Sequence, residues 1–160
     1  MSVSTPELSV VLPSFRGAAS ARAELPVLLD FLRSLRRSYE VIIVDDGSLD
    51  DGATARVAAE FGCRFLENPT NLGKGASVRR GMLAAKGRLR MFTDIDVPYE
   101  AESMARALYY LDARGFHMVA GDRRLPSSSY FTQVSALRRL SSIVYSNIVG
   151  RLVAGGWYDT

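Results

Sequence analysis

Met91-Phe92-Thr93-Asp94-Ile95-Asp96 ends an apolar run in two carboxylates, one residue apart. On an extended strand, positions i and i+2 point to the same side, so Asp94 and Asp96 can converge on one point. Carboxylates held that close raise each other's pKa unless a cation lies between them. A hard divalent ion suits such oxygen ligands and commonly shares its coordination with substrate phosphates. The same residues also suit a strand end followed by a solvated acidic turn, with Pro98 stopping the strand.

Two further clusters carry chemistry. Asp45-Asp46-Gly47-Ser48 follows an apolar run and precedes a helical pattern. Turn and cap chemistry explains one polar residue there well and two adjacent carboxylates poorly. A carboxylate in that place can accept from a base N–H or a ribose hydroxyl. Gly73-Lys74-Gly75 opens a helix and offers backbone N–H groups and an ammonium to a phosphate. It lacks P-loop spacing, so ATP hydrolysis is not implied. Arg79 and Arg80 follow within two turns, either solvated or with one reaching back over the site.

The elements that must position these residues alternate in type. Strands are expected at Leu8–Leu12 (stopped by Pro13), Glu40–Val44, Cys63–Leu66, Arg88–Thr93 and Phe116–Ala120. Helices are expected over 20–37, with Pro26 near its start, and over 50–61, 76–86 and 100–114. Such alternation implies an α/β fold, a mainly parallel sheet with helices on both faces. Ligands of such sheets bind outside the carboxyl ends of the strands. The polar clusters after strands one, two, four and five all lie there. From Gln133 on, Val134, Leu137, Leu140, Val144, Ile148 and Leu152 follow helical spacing beside Arg138, Arg139 and Arg151. That stripe is expected to pack on the sheet, to form a homodimer, or to rest on a membrane surface.

Composition narrows the classes further. The 160 residues fit one domain, and the net charge is +3. Arginines crowd the last third, a bias that suits phosphates or a membrane surface. Single copies of Cys63 and His117 exclude an internal disulfide and a multi-histidine metal site. Cys63, in an apolar run, reads as a packed residue. No apolar run approaches the roughly 20 residues of a membrane span, and no secretory signal is evident.

In order, Val10-Val11-Leu12-Pro13, Val44-Asp45-Asp46-Gly47-Ser48-Leu49-Asp50, Asn71-Leu72-Gly73-Lys74-Gly75, Asp94-Ile95-Asp96 and Gly121-Asp122-Arg123 resemble family 2 glycosyltransferases with the GT-A fold. Within that family the run Gly73–Met82, Arg138-Arg139-Leu140 and Asp159-Thr160 look most like polyprenyl-phosphate sugar transferases, especially dolichyl-phosphate β-glucosyltransferase-like proteins. The resemblance implies inverting transfer of a hexose from a nucleotide sugar to a polyprenyl or dolichyl phosphate. The enzyme would be peripheral to the cytoplasmic membrane face and use Mg2+ or Mn2+, with UDP-sugars favoured over GDP-sugars and no nucleic acid partner. It would put Pro13, Asp45 and Asp46 around the base and ribose, and Lys74 and Arg79 near the nucleotide. Asp94 and Asp96 would hold metal and diphosphate, and Arg123 and Arg138 or Arg139 the substrate phosphates.

Asp159 is a candidate catalytic residue, needed as a base if the acceptor is a sugar hydroxyl. In relatives Asp-Thr begins a longer stretch, so the chain is expected to lack the C-terminal end of a single GT-A domain and to bind donor better than it transfers sugar. Two departures stand out. Arg16-Gly17 replaces the family's Asn-Glu, and Pro98 stands where the mannosyl branch carries a metal-binding Gln. The alternatives are a family 2 enzyme acting on a sugar hydroxyl and a catalytically silent nucleotide-sugar-binding module.

Overall fold

The computed structural model describes residues 5–97 and 100–121. Eight elements follow one another: β1 (Leu8–Ser14), α1 (Ala18–Ser34), β2 (Tyr39–Asp45), α2 (Ala53–Glu60), β3 (Arg64–Glu67), α3 (Lys74–Ala84), β4 (Leu89–Phe92) and α4 (Ala101–Asp112). All belong to the compact unit Met1–His117. The strands form one sheet in the order β3-β2-β1-β4, and every pairing is parallel.

Alternation along β1 and β2 sorts their side chains onto two faces. Leu8, Val10, Leu12, Val41 and Ile43 join Leu25, Leu28, Leu29 and Leu32 of α1, with Val57 of α2 and Met104 and Leu108 of α4. Val11, Ile42 and Val44 meet Ala85 and Met82 on the α3 side. Helices therefore cover both faces, which explains why Val10–Leu12 of β1 and Val41–Val44 of β2 are apolar at consecutive positions. The α3 contact is close because Gly81 has no side chain. A Cβ there would lie 2.3 Å from Val11 Cγ1 and 3.0 Å from Val44 Cγ2. Gly81→Ala is expected to destabilise by about 1–3 kcal/mol through overpacking. Thermal melts should show part of that loss restored by Val11→Ala in the same chain.

Three expectations need correction. Pro13 does not stop β1, which continues to Ser14 alongside β2. Its effect falls on the other edge. Leu89 N donates to Glu7 O and Thr93 N to Val11 O, so every second residue of β1 faces β4. The next residue in that series is Pro13, which has no N–H to continue the ladder, and β4 ends at Phe92. Second, α1 begins at Ala18, which makes Pro26 an interior residue. Pro26 and Arg22, whose carbonyl loses its partner, are both exposed, so water can satisfy that group.

Third, Phe116–Ala120 is not a strand. Gly115 adopts φ 68° and Phe116 N donates to Tyr110 O, setting the Phe116 ring edge-to-face with Tyr110 at 5.7 Å between centroids. Phe116 thus folds back onto the end of α4 instead of opening a strand.

Candidate nucleotide site at the strand ends

Chain order places β2 and β3 on one side of β1 and β4 on the other. The order in which the strands are added thus reverses between β1 and β4, the place where α/β folds open a crevice. The loops after all four strands gather at this end.

Asp45 is buried and accepts two hydrogen bonds, from Ser48 N at 2.8 Å and Ser48 Oγ at 2.5 Å. Ser48 Oγ in turn accepts from Arg16 N at 2.6 Å, which ties the β1–α1 loop to the β2–α2 loop. Arg16 adopts φ 52°, and its guanidinium lies 5.3 Å from the centroid of the Phe15 ring. Gly17 fits because a Cβ there would come 2.5 Å from Ser14 Oγ.

Asp46 does corresponding work on the next loop. Its carboxylate accepts from Asn68 Nδ2 at 2.7 Å, Leu72 N at 3.0 Å and Gly73 N at 2.8 Å. Asn68 Nδ2 also donates to Ser77 Oγ at 2.9 Å, and Asn68 Oδ1 accepts from Arg80 at 2.8 Å. Burial pushes the Asp46 carboxyl up, but hydrogen bonds from Asn68, Leu72, Gly73 and Ser77 outweigh it and hold the group below its ordinary value.

A depressed folded pKa gives stability that is present above the unfolded value, about 3.9, and lost as pH falls through the folded one. The stability difference between wild type and Asp46→Asn should therefore be constant from neutral pH to about pH 5 and shrink in stronger acid. Urea denaturation across that range checks this.

Lys74 opens α3, and its Nζ lies 2.5 Å from Asp94 Oδ1. Asp94 and Asp96 do not stand on a strand. They occupy a turn closed by Val97 N donating to Asp94 O at 2.9 Å, with Val97 at φ 38°. Strand alternation therefore does not relate their side chains. Asp96 is exposed and Asp94 half-buried. Among the described residues no group of three or more His, Cys, Asp and Glu could hold a metal ion. A cleft of about 250 Å³ is lined by Pro13, Ser14, Phe15, Asp46, Asn71, Gly73, Lys74 and Ser77.

Of the residues singled out from sequence, Pro13, Asp46 and Lys74 line this cleft, and Asp94 adjoins it through Lys74. Asp45 does not line it, since Ser48 takes both of its carboxylate oxygens. Arg79 is exposed two residues beyond buried Ser77, on roughly the opposite side of α3. Its neighbour Arg80 turns back instead, to Asn68 and to the Glu67 carbonyl. Arg123, Arg138, Arg139 and Asp159 lie outside the described residues, as does the stripe from Val134 to Leu152. Sequence reasoning passed over Asn68 and Ser77. The signal for Asn68 was available, since it is the polar residue directly after a strand. Cys63 is a packed residue, its thiol pushed up to about 11 by burial. Among the described residues no helix is long and apolar enough to cross a membrane.

A parallel sheet with both faces covered, and a cleft at the ends of β1 and β2 beside the pair of Lys74 with the aspartate turn, belong to an α/β protein with the GT-A fold. That fold is shared with a Pyrobaculum calidifontis mannosyltransferase solved with GDP-Man and Mn2+, at a TM-score of 0.55 and 22% identity over 69% of this chain and 33% of that one. Glucosyl-3-phosphoglycerate synthase from Mycobacterium tuberculosis, solved with Mn2+ and UDP-glucose, is 26% identical, with a TM-score of 0.51, covering 66% of this chain and 39% of that one.

The sequence profile of glycosyl transferase family 2 matches residues 9–154, and the chain belongs to that family. A dolichyl-phosphate beta-glucosyltransferase from Dictyostelium discoideum is 30% identical, covering 96% of this chain and 51% of that protein. A dodecaprenyl-phosphate galacturonate synthase from Rhizobium johnstonii is 27% identical, covering 96% and 45%. The chain thus spans about half the length of these relatives.

Proposed function

We propose that this chain is the donor-binding part of a glycosyltransferase that moves a hexose from a nucleotide sugar to a polyprenyl phosphate, with inversion at the anomeric carbon. The observation that carries the reading is the Lys74–Asp94 pair at the mouth of the cleft, in a family 2 chain. Lys74 and the start of α3 present positive charge to a diphosphate, and Phe15 offers a half-exposed ring at the rim. The names of the relatives support the lipid-phosphate acceptor.

The residues of the turn suit a divalent ion. Asp94 already keeps a cation, the Lys74 ammonium, against one oxygen, and Asp96 offers a second carboxylate two residues on. With no third acidic ligand among the described residues, water and donor phosphate oxygens would complete the shell. When bound, Mg2+ or Mn2+ would offset charge developing on the departing diphosphate. A phosphate acceptor is largely dianionic at pH 7, its second pKa being about 6. It needs orientation by cations such as Arg123 and Arg138 more than deprotonation. Asp159 would serve as base only for a hydroxyl acceptor. The enzyme would work peripherally at the cytoplasmic face of a membrane.

The test supplies UDP-glucose or GDP-mannose with Mn2+, with and without polyprenyl phosphate, and measures nucleoside diphosphate release. Release that depends on the lipid supports the reading. Release with a sugar acceptor alone overturns the acceptor assignment. In displacement assays UDP should bind more tightly than GDP, and GDP binding at least tenfold tighter than UDP would refute that preference.

A further inference from the structure

Asn68 is the hub of a buried polar group beneath the cleft. It is 2% exposed, and its side chain meets three others: Nδ2 donates to Asp46 and Ser77, and Oδ1 accepts from Arg80. Its own N–H donates to Asp45 O at 2.8 Å, which fixes its main chain to the end of β2. Asp46, so oriented, accepts from Leu72 N and Gly73 N, the two residues before Lys74. The direction in which Lys74 leaves the loop therefore depends on a side chain that does not itself line the cleft.

We propose that Asn68 is a positioning residue which, through Asp46 and Ser77, sets the start of α3 so that Lys74 meets a donor diphosphate beside Asp94. This rests on reading the cleft as a donor site. It also changes the part given to Asp46. By accepting from Asn68 Nδ2, Leu72 N and Gly73 N, this carboxylate orients the loop at the diphosphate end of the site. Arg80, exposed on α3, completes the device by holding Asn68 Oδ1 from outside.

The experiment measures binding of UDP and of uridine to the full chain at saturating Mn2+, by displacement. The variants are Asn68→Ala, Arg80→Gln, Lys74→Ala and the Asn68→Ala/Lys74→Ala double. Asn68→Ala should weaken UDP about tenfold, the lower end of what losing an orienting partner costs a binding site, and leave uridine within about twofold. In the Lys74→Ala background the same change should have almost no further effect, because Asn68 acts through Lys74. Arg80→Gln, at an exposed position, should reproduce the pattern more weakly and serves if Asn68→Ala does not fold.

Equal losses for UDP and uridine, or additive losses in the double variant, overturn the proposal by showing general damage. Unchanged UDP binding in both Asn68→Ala and Arg80→Gln overturns it while leaving the donor site standing. A wild type that binds neither UDP nor GDP overturns the site reading and this proposal together.

Discussion

Asp94→Ala should remove the metal-dependent part of nucleoside diphosphate binding and lower hexose transfer by on the order of 10²–10³-fold, the usual cost of deleting one group that stabilises developing charge. The side chain sits in a turn, half-exposed, and is paired with Lys74. The hydrogen bond that closes the turn runs through the Asp94 carbonyl, which the substitution keeps. The loss should therefore appear in function and not in folding. Calorimetry with UDP, with and without Mn2+, gives the first readout. A variant that retains the Mn2+ effect removes Asp94 from the site.

Lys74→Ala should act differently at the same place. It takes away the ammonium that neutralises Asp94 without nucleotide, so Mn2+ alone should bind more tightly while UDP binds less tightly. An exposed pair of this kind is worth at most about 1 kcal/mol to stability, so melting temperatures should hardly move.

Much of this arrangement could be read from the chain. Val10-Val11-Leu12 and Val41-Ile42-Ile43-Val44 are apolar at consecutive positions, which requires cover on both faces and hence helices on both sides of a parallel sheet. The polar residues that end β1 and β2 then had to gather at one end. What escaped reading depends on partners distant in sequence. Pro13 was expected to end its own strand. Instead it ends the ladder with β4, which is decided by the edge of β1 its nitrogen faces. Asp94 and Asp96 looked like alternating strand residues because nothing local shows where that ladder stops.

Asn68 sits among turn formers, Pro69 and Thr70, and its value comes from Asp46, 22 residues earlier. Phe116–Ala120 has strand-like composition, yet Gly115 at positive φ and the ring of Tyr110 draw Phe116 back onto α4. Gly17 departed from the expected motif for a local reason, the crowded Ser14 hydroxyl, whereas Arg16 meets Ser48 through its main-chain N–H, which any residue but proline supplies.

Gly47→Ala should be among the most destabilising single-methyl changes in the described chain, costing roughly 3 kcal/mol. Two effects combine. Gly47 adopts φ +67°, where a Cβ costs about 1–2 kcal/mol from backbone sterics alone. That Cβ would also stand 2.6 Å from the Thr70 carbonyl carbon and 2.9 Å from Asn71 N. These are main-chain atoms, and the loop carrying them cannot easily retreat, because Asp46 holds Leu72 N and Gly73 N just beyond. Gly62 supplies the control. It has nearly the same angle, φ +68°, but no atom within 4 Å of its added Cβ, so Gly62→Ala should show only the backbone term. The difference between the two, read from urea midpoints, isolates the packing of the β2–α2 loop on the loop that leads to Lys74. If that packing sets the cleft, Gly47→Ala should weaken UDP binding under conditions where the protein remains folded, and Gly62→Ala should not. Equal stability losses at the two glycines would mean that the 70–71 loop yields freely and that the two loops are not rigidly coupled.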